Sequence, residues 1–250
     1  MLLSSSTSTL PVTSLLSLRD AGDHRNWLAE GVSTGVADTI VACVDWAATY
    51  PVHKVRKHRR VEAICPMVAP SIADRSFYFA GAFPETREPA LTALDEILWS
   101  AADRFESEID ASDPRLRCLT LVLPGVRGAR LLEATDPSRG IKRDLLRRGI
   151  LVGEFFPSCP FATTFNPRLF ALRSPAPMYV FRTFLESDWR FICQVPAWQT
   201  VYRERFGEPP RKLRHLGGRG WRLKQKLKWR VDALKNRLAP AKPEESFFES

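Results

Sequence analysis

The chain has 250 residues, 44% hydrophobic and 10% aromatic, and reads as a soluble globular protein with one main domain and a sizeable core. Its five cysteines, at 43, 65, 118, 159 and 193, are odd in number and never form C-x-x-C, which argues against a disulfide framework and a zinc site and favours a reducing, cytoplasmic setting. The net charge of +9 points to an anionic partner, but eleven cations against the single Asp232 lie between Arg211 and Leu238, leaving 26 basic and 27 acidic side chains elsewhere.

In chain order, residues 1–22 read as a disordered leader, because Ser, Thr and Pro interrupt the apolar residues and Arg19 is the only cation among the first 20. A single domain follows over 23–210. Apolar residues around Val36, Ile40, Val41, Val44 and Trp46 predict a helix within 26–49 that Pro51 stops. "HKVRKHRR" at 53–60 holds five cations and two of the four histidines and reads as a solvated basic loop. "RSFYFAGAF" at 75–83 predicts a strand, and Leu91, Leu94, Ile97, Leu98, Phe105 and Ile109 recur at helical spacing over 88–109. "RCLTLVLPG" at 117–125 predicts a buried strand, followed by short helices near 128–135 and 140–148.

Two further strands, near 150–156 and 177–184, are separated by about twenty residues rich in Phe and Pro. Ser187 and Pro196 then start the helices "DWRFICQ" and "PAWQTVYRERF", and Gly207, Pro209 and Pro210 close the domain. Together these elements predict an α+β fold, a mixed sheet of about four strands with helices packed on it.

The two late strands each carry one charge among apolar neighbours, Glu154 and Arg182. If they lie opposite each other in an antiparallel pair, the charges satisfy one another, either as a structural ion pair or with Glu154 holding Arg182 to bind an anion. Prolines stiffen the segment between the strands, so an ordered wrapped segment is expected. Its phenylalanines belong either to the core or to an apolar ligand pocket, with Asn166, Arg173 and Ser174 as polar contacts.

Residues 211–238 predict a basic helix whose Leu223, Leu227, Val231, Leu234 and Leu238 fall within an arc of about 80°. Such a seam suits docking on the domain, a partner helix or an anionic membrane surface, while nucleic acid is less favoured because no base-reading motif accompanies the cations. Residues 239–250 read as a disordered tail. No G-x-S-x-G, H-E-x-x-H, P-loop or G-x-G-x-x-G occurs.

"AICPMVAPSI", "LLRRGILVGEFFPS", "NPRLFALRSPAPMYVFRTFLESDWRFI" and "YRERFG" together resemble an uncharacterised bacterial domain family, a domain of unknown function sometimes found beside natural-product biosynthesis genes. The resemblance rests on Cys65 and Pro66; Gly149, Gly153 and Phe155; Asn166 and Pro167; Arg173, Ser174, Pro175 and Pro177; and Asp188 and Trp189. It covers roughly 55–207, and Met67 stands where the family often has phenylalanine. It implies no established activity. A fainter similarity, to YqcI/YcgG-like haem-dependent proteins, implies a haem pocket in which His53, His58, Cys65 or Cys159 supplies the axial ligand. Two readings stay open: an enzyme or small-molecule-binding protein using Arg173 and Arg182 on an anionic or amino-acid-like ligand, and a non-catalytic interaction module recruited through its basic helix.

Overall fold

A computed structural model describes residues 12–57, 60–163, 169–214 and 216. The described residues divide into two compact units, one up to Asp188 and one from Trp189. In chain order the first unit holds β1 (Leu16–Ser17), α1 (Leu18–Ala21), α2 (His24–Ala29), α3 (Thr34–Thr49), β2 (Lys54–Lys57), β3 (Arg60–Ala63), α4 (Val68–Ala73), β4 (Phe77–Gly81), α5 (Leu91–Ser107), β5 (Cys118–Val122), α6 (Gly128–Ala134), α7 (Ile141–Arg147), β6 (Ile150–Phe155) and β7 (Met178–Thr183). The second unit holds α8 (Trp189–Ile192) and α9 (Pro196–Phe206).

The fold is α+β around a mixed sheet of order β1-β4-β5-β7-β6, with β2 and β3 forming a separate two-stranded sheet. In this sheet β4 and β5 run parallel and the other described neighbours antiparallel; the connection between β4 and β5 carries α5. Alternation along the strands sends side chains to opposite faces, and both faces are covered. One face, with Ala80, Leu119, Leu121, Val152, Tyr179 and Phe181, packs against Leu94, Ile97, Leu98 and Phe105 of α5, Leu131 of α6 and Leu145 of α7. The other, with Phe77, Phe79, Cys118, Val122 and Met178, packs against Trp27 of α2 and Ile40, Cys43 and Val44 of α3. Each fully buried Leu, Ile or Phe contributes about 1.5–3 kcal/mol, so the spacing of α5 is a main source of cohesion for its layer.

The expected leader ends earlier than residue 22. Val12 bridges Ala82, Leu16 pairs with Phe79, and the Arg104 guanidinium donates to the carbonyls of Val12 and Thr13, so residues 12–17 add an edge to the sheet. This edge is the fifth strand, short enough to escape a pattern search. The helix expected within 26–49 is α3, and Gly31 at φ +79° separates it from the short α2 that precedes it. In the second unit Trp189 lies edge-on to Tyr202 at 5.0 Å and donates from Nε1 to the Leu213 carbonyl at 3.0 Å. Among the described residues no helix is long and apolar enough to cross a membrane.

Candidate ligand site at the carboxyl end of the parallel strands

Gly81 aligns with Val122, Val122 with Met178, and Met178 with Phe155. The carboxyl ends of β4, β5 and β6 and the start of β7 therefore share one end of the sheet. Residues 156–163 and 169–177 lie at that end, the place where open sheets with parallel strands commonly hold ligands. It is tied down at both ends: Phe156 N–H donates to Leu172 O, Ser174 Oγ to Ala176 O at 2.7 Å, and Leu123 N–H to Pro177 O at 2.8 Å.

Between this segment and the turn after β5 is a cavity of about 340 Å³. Arg87, Gly125, Val126, Arg127 and Gly128 form one wall, Phe156, Pro157, Ser158 and Pro175–Pro177 another, and Thr39 of α3 completes it. The two glycines serve different ends. Gly125 sits at φ +81°, a conformation side-chain-bearing residues rarely adopt. Gly128 gives space to the Phe156 ring, which a Cβ at this position would meet at 2.3 Å. Arg127 pairs with Glu88 at 2.6 Å, both well exposed, and its N–H holds the Arg87 carbonyl at 3.0 Å, so the two arginines are fixed side by side through the backbone. Among the described residues no carboxylate lies within ion-pair distance of Arg87. Among the described residues the lining includes hydroxyls and guanidinium groups but no carboxylate, imidazole or thiol.

The expected Glu154–Arg182 pair does not form. β6 and β7 are antiparallel neighbours, but Glu154 lies opposite Tyr179 and Arg182 opposite Leu151, which puts the two charges on opposite faces. Glu154 instead accepts from Lys142 Nζ at 2.7 Å, with only 11% and 12% of the two side chains exposed. Arg182 donates to both oxygens of Asp188, at 2.7 and 2.8 Å, and to the Thr183 carbonyl at 3.2 Å. Burial works to lower the Arg182 pKa, but the hydrogen bonds and charge of Asp188 outweigh it and the net shift is upward. Cys118, opposite Arg182 on β5, has its thiol pushed far up, first by burial and then by nearby Cys65.

The remaining sequence-predicted residues are spread out. Arg173 lies 4.0 Å over the Phe170 ring and donates from Nε to the Cys159 carbonyl at 3.2 Å, and Ser174 is buried. Asn166 and His58 lie outside the described residues. His53 is exposed at the base of the β2–β3 pair and Cys65 is half-buried. Cys159 is fully buried, and burial pushes its thiol up to about 11. Neither His53, Cys65 nor Cys159 lines the cavity. Arg87 and Arg127 were missed as site residues. The signal for Arg127 was available in "LVLPGVRG", a strand running into a turn with an arginine between two glycines; Arg87 has no comparable local signature.

A family model described as a domain of unknown function, DUF6875, matches residues 40–215. No curated protein and no solved structure matches.

Proposed function

The chain belongs to this domain-of-unknown-function family, and on that premise we propose that its first unit binds a small anionic molecule, a carboxylate or phosphate ester with a compact apolar body, in the cavity under segment 156–177. The observation that carries this reading is the pairing of Arg87 and Arg127 on one wall with Val126, Phe156, Ala176 and prolines around them. Small-molecule sites combine an apolar lining with a few fixed polar groups, and about 340 Å³ falls at the lower end of their usual range. Guanidinium groups recognise carboxylate and phosphate through a planar fork. A lining without carboxylate, imidazole or thiol favours recognition over general acid–base chemistry, so the reading is a binding function rather than a catalytic one.

Isothermal titration of the full chain with inorganic phosphate and with straight-chain carboxylates of increasing length tests it. Saturable binding that Arg87→Ala weakens by about tenfold or more is expected, because a hydrogen bond to a charged group is worth about 1.5–3 kcal/mol. Absence of binding to every probe, or binding by Arg87→Ala and Arg127→Ala as tight as that of the parent chain, refutes it.

A further inference from the structure

The sheet of β2 and β3 takes no part in the five-stranded sheet. It leaves the end of α3 at Pro51 and returns at Cys65, closed at its base by Cys65 N–H to Pro51 O at 2.9 Å and Ile64 N–H to His53 O at 3.0 Å. Its strands carry Lys54, Arg56, Lys57 and Arg60 against the single acid Glu62, and Lys54 and Glu62 are both exposed. The register sets Lys57 opposite Arg60. Four cations against one acid over eight strand residues concentrate like charge on a ribbon that is itself marginal in water, and a polyanion lying along it would compensate that charge.

We propose that the β2–β3 ribbon docks on the phosphate backbone of a nucleic acid duplex. The inference rests on the ribbon alone and is independent of the cavity. A duplex presents about one negative charge per 1.7 Å of its axis, which suits a segment with four cations in eight strand residues, and its major groove admits a two-stranded ribbon. An anionic bilayer is the weaker fit, because the strands' apolar residues are Val55, Val61 and Ala63, with none of the aromatic anchors that seat a segment at a membrane interface. Backbone contact implies binding with little sequence preference and strong salt dependence.

Fluorescence anisotropy of a fluorescein-labelled DNA duplex, titrated with the full chain over a series of salt concentrations, provides the test. With Lys54→Gln and Lys57→Gln combined, the slope of log K against log salt should become shallower by about 2, since each phosphate neutralised contributes about 0.9, and affinity at low salt should fall by about tenfold. Lys54→Arg with Lys57→Arg should bind like the parent chain, which separates charge from any effect of substitution on folding. An unchanged affinity and slope in the glutamine variant overturns the proposal and assigns duplex binding to other cations of the chain. A parent chain that fails to bind the duplex at low salt overturns it as well, including when it binds phosphatidylserine vesicles.

Discussion

Arg182 and Asp188, six residues apart, are joined by two parallel hydrogen bonds, Nη2 to Oδ1 at 2.7 Å and Nη1 to Oδ2 at 2.8 Å. The same carboxylate accepts the Leu185 N–H at 2.8 Å, and only 3% of its side chain is exposed. Asp188 thus both anchors the last turn of the first unit and neutralises a guanidinium that β7 carries into the apolar face beside Cys118.

Asp188→Ala is expected to destabilise the protein by about 3–5 kcal/mol, because it leaves Arg182 without its counter-charge in a mostly buried setting. Replacing both, Arg182→Met with Asp188→Leu, should recover most of that loss, since well-packed apolar residues substitute for buried ion pairs at little cost. Urea unfolding of the three variants decides; a single substitution costing under about 1 kcal/mol would place the pair with ordinary surface bridges.

Gly128→Ala forces a Cβ to within 2.3 Å of the Phe156 ring and should cost about 1–3 kcal/mol through overpacking. Phe156→Leu in the same chain should relieve a large part of this penalty, giving a coupling energy above about 0.5 kcal/mol in a double-mutant cycle. Additive effects would mean that the two positions are not in contact.

Cys65 should be alkylated first by iodoacetamide in the native protein, because it is the half-buried cysteine among four buried ones. Burial pushes Cys43 up to about 12 and Cys159 and Cys193 up to about 11, so at pH 8 these thiols stay protonated as well as shielded. Peptide mass spectrometry after timed labelling should find Cys43, Cys118, Cys159 and Cys193 modified only after denaturation. Early labelling of Cys159 would show segment 156–177 opening on the labelling timescale.

Acid should destabilise the fold below about pH 4. Hydrogen bonds from Arg25 hold Asp23 down at about 2, and hydrogen bonds from Arg104, Arg115, Ser138 and Arg143 hold Glu108, Asp113, Asp136 and Asp144 below the usual carboxylate range. Groups depressed in the folded state bind fewer protons there than in the unfolded chain. Their stabilisation is therefore present above the unfolded pKa and lost as pH falls through the folded one. The urea midpoint should drop between about pH 4 and 2, with a shallower drop for Asp23→Asn. An identical pH profile for that variant refutes the role of Asp23.

Much of the framework was readable because burial leaves a mark on spacing. Leu94, Ile97, Leu98 and Phe105 lie on the buried face of α5, and "CLTLV" is a strand buried along its whole length. The β2–β3 pair was hidden by its own charge, since Lys and Arg are poor strand indicators and only the backbone register exposes it. Glu154 and Arg182 were separated by a register that their local sequences do not encode. Which residue faces which depends on how far segment 156–177 runs before β7 begins, and a one-residue slip exchanges the faces. Arg87 and Arg127 meet only because an interaction between the turn after β5 and the approach to α5 brings positions forty residues apart together.

The strand order also sets a timetable. β4 and β5 can align once α5 has formed, but β6 lies at the margin of the sheet and pairs only with β7, which is synthesised after it and inserts between β5 and β6. Without β7, β6 has no strand beside it in this sheet. The sheet is thus completed by a late strand entering its interior, and the closure entropy of segment 156–177 sets part of the kinetic barrier to that final step.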